Sequence, residues 1–119
     1  MGTRLYVPVL AHEVSHLIIG ANGIWLCSQS LHSSIERYAW FGSALLAISE
    51  PIMRKFRDGN LLAEDIAAEC VVPLEFVNLR YAVQDALGSD LPLHQHAANM
   101  ALDRWLQYLD KAFEHPSSA

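Results

Sequence analysis

The sequence predicts a mainly α protein, a single compact helical domain with little or no β structure. Apolar residues recur at the helical period of about 3.6 residues, and the alternation typical of strands is nearly absent. Turn-forming residues divide the chain at "GANG" (20–23), "DGN" (58–60), "VVP" (71–73) and "GSDLP" (88–92). With 119 residues, of which 52% are hydrophobic and 18% charged, the chain is long enough to bury one core.

The first half of the chain predicts two helices, over 5–19 and 34–48, and a short helical piece after Pro51. Apart from histidines, the only charged residues between positions 14 and 49 are Glu36 and Arg37. We therefore expect a buried segment that contains an acid.

The second half predicts three amphipathic helices, over 61–70, 73–87 and 92–113, with a flexible tail over 114–119. One apolar stripe comprises Leu62, Ile66 and Cys70; another comprises Leu102, Trp105, Leu106 and Leu109, opposite the charged residues Asp103, Arg104 and Asp110. There is no internal repeat and no linker, so we expect one domain over 1–119 with 92–113 as an extra C-terminal helix.

Composition argues against several classes of protein. Eight Lys and Arg face thirteen Asp and Glu, a net charge of −5, so direct nucleic-acid binding is not expected. No apolar run reaches the ~18 residues of a membrane span, and no signal peptide is recognisable. Cys27 and Cys70 are isolated, and we expect both to be reduced thiols in a cytoplasmic protein.

The pentad His12-Glu13-Val14-Ser15-His16 has the HExxH pattern of zinc-binding helices. On a helix the two histidines lie about 40° apart, one turn above the other, so both imidazoles can bind one ion. Glu13 lies about 100° round from His12, where it can act as general base on a zinc-bound water. Six histidines and seven glutamates would produce such a pentad by chance with a probability of roughly 2%.

A third ligand is needed, and Glu36 is the candidate because it is the only acid between Glu13 and Glu50. The alternative is a capping box, in which Ser33 caps the second helix and Glu36 reaches back to it. If Glu36 is not the ligand, Glu50 or His32 is next.

The sequence gives weaker indications of function for an aromatic cluster and for two further histidines. The aromatic cluster Tyr38, Trp40 and Phe41 is expected in the core, although Tyr38 is a candidate to stabilise an oxyanion in the transition state. His94 and His96 are expected on the surface, since side chains at i and i+2 of a helix diverge.

Three stretches, in this order, resemble the ImmA/IrrE family of metallopeptidases, which is associated with phage, mobile elements and stress responses. "RLYVPVLAHEVSHLI" resembles the active helix, with Ser15 in place of the usual Gly; "IERYAWFGSALLAIS" resembles the second helix; and "LLAEDIAAECVVPLEFVNLRYAV" resembles the closing element. The likeness spans 4–87. Trp40, Gly42 and Ser49 depart from the family's usual Asn, Phe and Pro.

The resemblance implies zinc held by His12, His16 and Glu36, with Glu13 as the base. It also implies a protein substrate, a helix-turn-helix repressor that the peptidase cleaves or inactivates in transcription regulation. The residues before Arg4 are too few for the strands that line the family's cleft. The alternatives are therefore a non-catalytic metal-containing module that binds a regulator, and a helical scaffold whose pentad is accidental.

Overall fold

The computed structural model describes residues 3–21, 29–59, 62–87, 89 and 91–114. A short 3-10 turn, Thr3–Leu5, leads into α1, Tyr6–Ala21. The other helices are α2, Gln29–Ala47; α3, Glu50–Asp58; α4, Ala63–Cys70; α5, Leu74–Ala86; and α6, Pro92–Glu114. No strand occurs within these ranges, which confirms the mainly α prediction.

The observed helix ends differ from the predicted ones chiefly at α2. This helix begins at Gln29, five residues before the predicted start at 34. The serines at 33 and 34 suggested an N-cap, but the helical hydrogen-bonding pattern already includes them. Glu114, the first residue of the predicted flexible tail, belongs to α6. The rest of that tail, 115–119, lies outside the described residues.

Local sequence explains the ends of the short helices. Ser49 precedes α3 in an extended conformation, and Pro51 occupies the first turn of that helix. Backbone N–H groups in a first turn have no partner within the helix, so the N–H that proline lacks costs no hydrogen bond there. At the start of α4, the Asp65 carboxylate accepts a hydrogen bond from the Leu62 N–H at 2.9 Å. Leu62 is therefore a cap residue and is 67% exposed, so its place in the predicted apolar stripe is wrong.

The core lies where α2, α4, α5 and α6 meet. Trp105 of α6 is fully buried, with its ring centroid 4.8 Å from that of Phe76 on α5 and 5.6 Å from that of Trp40 on α2. Leu102 and Leu109 are buried on the same face of α6, as their spacing predicts. The C-terminal helix is thus an integral part of the core.

Arg80 joins α5 to the end of α2 from a fully buried position. Its Nε donates to the Ile48 carbonyl at 2.5 Å, its Nη1 donates to Gln84 Oε1 at 2.8 Å, and its Nη2 lies 3.5 Å from Glu50 Oε2. Burial lowers the pKa of the Arg80 guanidinium, and the Glu50 carboxylate opposes that effect. Arg80 therefore supplies a donor to a carbonyl that follows the last turn of α2.

Helix α1 packs on α2 with one face only. Pro8 and Ser15 are buried, whereas Leu10, Val14 and Leu17 are 37 to 70% exposed. The scarcity of charge between positions 14 and 49 predicts a buried segment, and that expectation is wrong for the exposed side of α1, where Val14 and Leu17 lie. None of the described helices is both long and apolar enough to cross a membrane.

Candidate metal centre

His12 and His16 lie one turn apart on α1, as the pentad spacing predicts. Their Nε2 atoms are 3.2 Å apart, and their ring planes are nearly perpendicular, at 81°. The His12 side chain is 12% exposed and the His16 side chain 30%, so both rings lie at the edge of the α1–α2 contact rather than in open solvent.

Glu36 of α2 faces both histidines. Its Oε1 lies 2.6 Å from His12 Nε2 and its Oε2 lies 2.9 Å from His16 Nε2. Donor atoms of the three residues all fall within 4.8 Å of one another, so the group could hold a metal ion. Helix packing thus brings together the two histidines and the acid that lies twenty positions after the second of them.

The three close contacts cannot all be hydrogen bonds at the same time. If both imidazoles donate through Nε2–H to Glu36, two N–H groups face each other across 3.2 Å. If one Nε2 is unprotonated to accept from the other, its lone pair faces a carboxylate oxygen instead. A cation among the three donors satisfies every lone pair, so the chemistry of this donor set fits a metal ion.

The capping-box interpretation of Glu36 is wrong. Because α2 begins at Gln29, Glu36 is the eighth residue of the helix and lies beyond the first turn, where capping side chains act. Its carboxylate oxygens contact the two histidine rings instead.

The reserve ligands do not join the group in the described part of the chain. Glu50 pairs with Arg80 at 3.5 Å and with Arg57 at 3.9 Å, at the start of α3. The side chain of His32 lies outside the described residues.

Trp40 covers one face of the His12 ring. The two rings are stacked, with centroids 4.0 Å apart and planes within 13° of parallel. Trp40 is only 5% exposed, and its ring also contacts that of Trp105 edge to face. Trp40 therefore belongs to the core, as predicted. The candidate site is therefore joined directly to the hydrophobic core through one indole ring.

Two close contacts set the distance between α1 and α2 beside the site. Ser43 is fully buried and donates from its hydroxyl to the Pro8 carbonyl at 2.8 Å. Ser15, between the two histidines in sequence, packs on Gly42 so closely that a Cβ there would lie 2.8 Å from Ser15 Oγ. The Ser15 hydroxyl is buried and has no hydrogen-bond partner among the described residues.

Glu13 lies on the solvent side of α1, and its side chain is 67% exposed. Its Oε1 is 3.7 Å from His12 Nδ1, the ring nitrogen that does not face Glu36, which is too long for a hydrogen bond. Glu13, the predicted base, therefore lies next to the candidate metal group. Its side chain is mostly surrounded by solvent and can change rotamer.

Tyr38 lies away from the histidines. It is 64% exposed, and it lines a cavity of about 580 Å³ between α2, α5 and α6 together with Phe41 and Gly42. Residues two apart on a helix are about 200° apart round its axis, so Tyr38 and Glu36 face opposite ways. The expectation of a core position for Tyr38 is wrong, and a role in stabilising an oxyanion stays a prediction that this geometry does not favour.

The histidines at the start of α6 take no part in the site. His94 is half-buried, and its Nδ1 shares a hydrogen bond with Ser89 Oγ at 2.8 Å. His96 is exposed, as predicted, and its side chain diverges from that of His94.

Family models, curated proteins and solved structures were each compared with this chain, and none matches.

The sequence reasoning missed the Trp40 contact and the Ser15–Gly42 contact. A signal for Trp40 was present, because it lies four residues after Glu36 and so shares its helix face. No comparable signal exists for Ser15 and Gly42, since a close approach of two helices at small residues depends on how the helices cross.

Proposed function

We propose that this chain is a zinc-dependent metallopeptidase of regulatory type, in which His12, His16 and Glu36 bind the zinc and Glu13 is the base. The observation that carries the proposal is the convergence of the three donor side chains, whose mutual contacts cannot all be hydrogen bonds. The ordered resemblance of 4–87 to the ImmA/IrrE family supports the same conclusion.

The types of the donor atoms favour zinc, and so does the spacing of the two histidines. Neighbouring ligands of a tetrahedral zinc with bonds of ~2.0 to 2.1 Å lie about 3.3 Å apart. The histidine Nε2 atoms are 3.2 Å apart, close to that value, whereas the Glu36 oxygens are nearer to them, at 2.6 and 2.9 Å, and would have to move outward to bind the ion. Two imidazoles and one carboxylate also form a common ligand set of catalytic zinc, which leaves a position open for water or substrate.

Zinc held there would act as a Lewis acid on a substrate carbonyl and would make water a stronger nucleophile. Glu13 takes the proton that the attacking water loses and passes it to the leaving amide nitrogen. Its exposed side chain can turn from the Nδ1 side of His12 toward the histidine face, because only solvent surrounds most of it. Trp40 and Glu36 keep the His12 ring in one orientation while Glu13 moves.

The substrate we propose is a protein, of the helix-turn-helix repressor class, in the cytoplasm of a cell that carries a phage or mobile element. This part of the proposal follows from the resemblance. The acidic net charge of −5 is consistent with a protein partner rather than with nucleic acid.

Metal stoichiometry tests the ligand set. We expect wild-type protein purified with added zinc to retain a single zinc per chain after dialysis, and both His16→Ala and Glu36→Ala to lose it. Glu50→Ala is the matched control, because Glu50 is a helix-borne acid that pairs with Arg80 and is not near the histidines. Retention of zinc by Glu36→Ala would overturn the ligand assignment, and absence of zinc from the wild type would overturn the proposal.

Glu13→Gln tests catalysis separately from metal binding. The amide preserves size but cannot accept the proton, so we expect full zinc content without cleavage. Labelling of new protein N-termini in cells that express either form should reveal fragments made only by the wild type. Identical N-terminal profiles for both forms, with metal present, would exclude the peptidase.

A non-catalytic metal module that binds a regulator is the second candidate. The observation in its favour is the position of Glu13, whose nearest contact in the site is 3.7 Å away at His12 Nδ1. In that case Glu13→Gln would leave both metal content and inactivation of the target unchanged.

A further inference from the structure

We propose that Trp40 is a positioning residue for the metal centre: its indole ring holds the His12 imidazole in the orientation that turns Nε2 toward Glu36. This inference rests on the proposed function, since it assigns a role toward the metal that His12, His16 and Glu36 would bind. Trp40 itself offers no donor to the metal. It acts through His12.

The argument begins with the freedom of a histidine side chain. An imidazole on a helix surface can rotate about its last bond, and a half-turn puts the ring carbons Cδ2 and Cε1 where Nδ1 and Nε2 were. In this structure Trp40 lies flat against His12, with the planes at 13° and the centroids at 4.0 Å. A ring turned out of that plane would lose the stacking contact, so the indole limits His12 to flat orientations.

Glu36 selects between the two flat orientations. With the plane set by Trp40, one orientation directs Nε2 to Glu36 Oε1, at 2.6 Å, and leaves Nδ1 toward Glu13 Oε1, at 3.7 Å. The orientation turned by 180° would put Cε1 in the place of Nε2 and Cδ2 in the place of Nδ1, so a C–H group instead of a nitrogen would face Glu36. Trp40 therefore defines the plane of the ring, and the Glu36 carboxylate selects the flat orientation in which Nε2 faces the metal position.

Trp40 is itself rigidly held. It is 5% exposed, and the Trp105 ring meets it at 72° with a centroid distance of 5.6 Å. Trp105 is fully buried against Phe76 of α5 and does not stack on His12 itself. Partners outside the ligand shell commonly change metal affinity by about 10- to 100-fold when they are removed.

Three variants separate positioning from general stability. Trp40→Leu removes the flat aromatic face, Trp40→Phe keeps a smaller one, and Trp105→Phe shrinks an equally buried ring that does not stack on His12. We expect affinity for Co²⁺ to fall at least about tenfold in Trp40→Leu and to stay within about threefold of wild type in Trp40→Phe and Trp105→Phe. Competition with a chromophoric chelator measures each affinity.

Two spectra report on the site independently of stability. The visible absorption of bound Co²⁺ depends on the arrangement of its ligands, so we expect Trp40→Leu to weaken and shift the bands while Trp105→Phe leaves them unchanged. Addition of Zn²⁺ should also change tryptophan emission in wild type and Trp105→Phe, but not in Trp40→Phe, because the responding indole is the one stacked on His12.

The outcomes distinguish this inference from the proposed function. If wild type binds neither Co²⁺ nor Zn²⁺, the metal site itself is wrong. If wild type binds metal and Trp40→Leu shows the same affinity and the same Co²⁺ spectrum, only the role of Trp40 is overturned. Should Trp40→Leu fail to fold, the emission change decides: its persistence in Trp40→Phe would overturn the inference.

Discussion

Alanine at Gly42 and at Ser15, introduced singly and together, tests the contact that holds α1 against α2 beside the histidines. A Cβ at position 42 would lie 2.8 Å from Ser15 Oγ, closer than real side-chain carbons approach a neighbour. The same Cβ would lie 3.4 Å from Ser15 Cβ, which is a tolerable contact. The clash therefore comes from the hydroxyl oxygen, and the effects of the two substitutions should not be additive.

The expected magnitudes follow from three opposing effects. Alanine in place of glycine within α2 adds about 1 kcal/mol of helix propensity, and overpacking against Ser15 removes roughly 2 kcal/mol, so Gly42→Ala should lower the free energy of unfolding by about 1 kcal/mol. Ser15→Ala removes a buried hydroxyl without a partner and should raise it by about 1 kcal/mol. The double variant lacks the clash and should be about 2 kcal/mol more stable than wild type.

Urea unfolding followed by far-ultraviolet circular dichroism measures all four proteins, and linear extrapolation gives each free energy of unfolding. An unchanged dependence on urea would show that the variants expose the same surface on unfolding. The reasoning is refuted if Gly42→Ala alone is stabilising and the two single effects add to the double effect within about 0.5 kcal/mol.

Three further predictions concern residues outside the site. Arg80→Met should lower the free energy of unfolding by about 2 kcal/mol, because the Ile48 carbonyl loses its buried donor; a loss below about 0.5 kcal/mol in urea would contradict this. Val71 has φ 57° and ψ 52°, a strained conformation for a β-branched residue. Val71→Asn should therefore raise the melting temperature measured by calorimetry by about 4 °C. A lower melting temperature would show that the backbone at position 71 is not strained. Burial raises the pKa of the Cys70 thiol, so in a Cys27→Ser background its alkylation by iodoacetamide should reach half-maximal rate at a higher pH in the folded protein than in urea; equal midpoints would contradict the burial effect.

The part of the site that lies on one helix was predictable from sequence. The spacing of His12 and His16 requires only that 5–19 be helical, and helix geometry then brings the two rings together. Glu36 could be proposed because acids are scarce in that half of the chain, but the sequence left its capping role open. Only the packing of α1 on α2 decides between the capping role and the ligand role, since it brings the Glu36 carboxylate within 2.9 Å of both histidine rings.

The errors in the fold arose where a local signal competed with tertiary packing. The serine pair before Glu36 is typical of a helix start, yet the helix extends back to Gln29. Leu62 fits the apolar period of α4 but lies outside the helix, because the Asp65 carboxylate caps its N–H. The scarcity of charge after position 14 indicated a buried segment, whereas α2 covers only one face of α1.

The location of the donors links metal binding to helix packing. Two of them, His12 and His16, belong to α1 and the third, Glu36, belongs to α2, so a bound ion would join the same helices that Ser15 and Gly42 bring together. A ligand favours the conformation in which its contacts are best, so an ion held by donors from two helices binds most tightly when the helices lie at the separation that suits all three donors. Ser15→Ala should therefore bind metal at least as tightly as wild type, whereas Gly42→Ala, which pushes the helices apart, should bind it more weakly although position 42 offers no donor. Equal affinities in these two variants would mean that the distance between α1 and α2 is not what brings the three donors together.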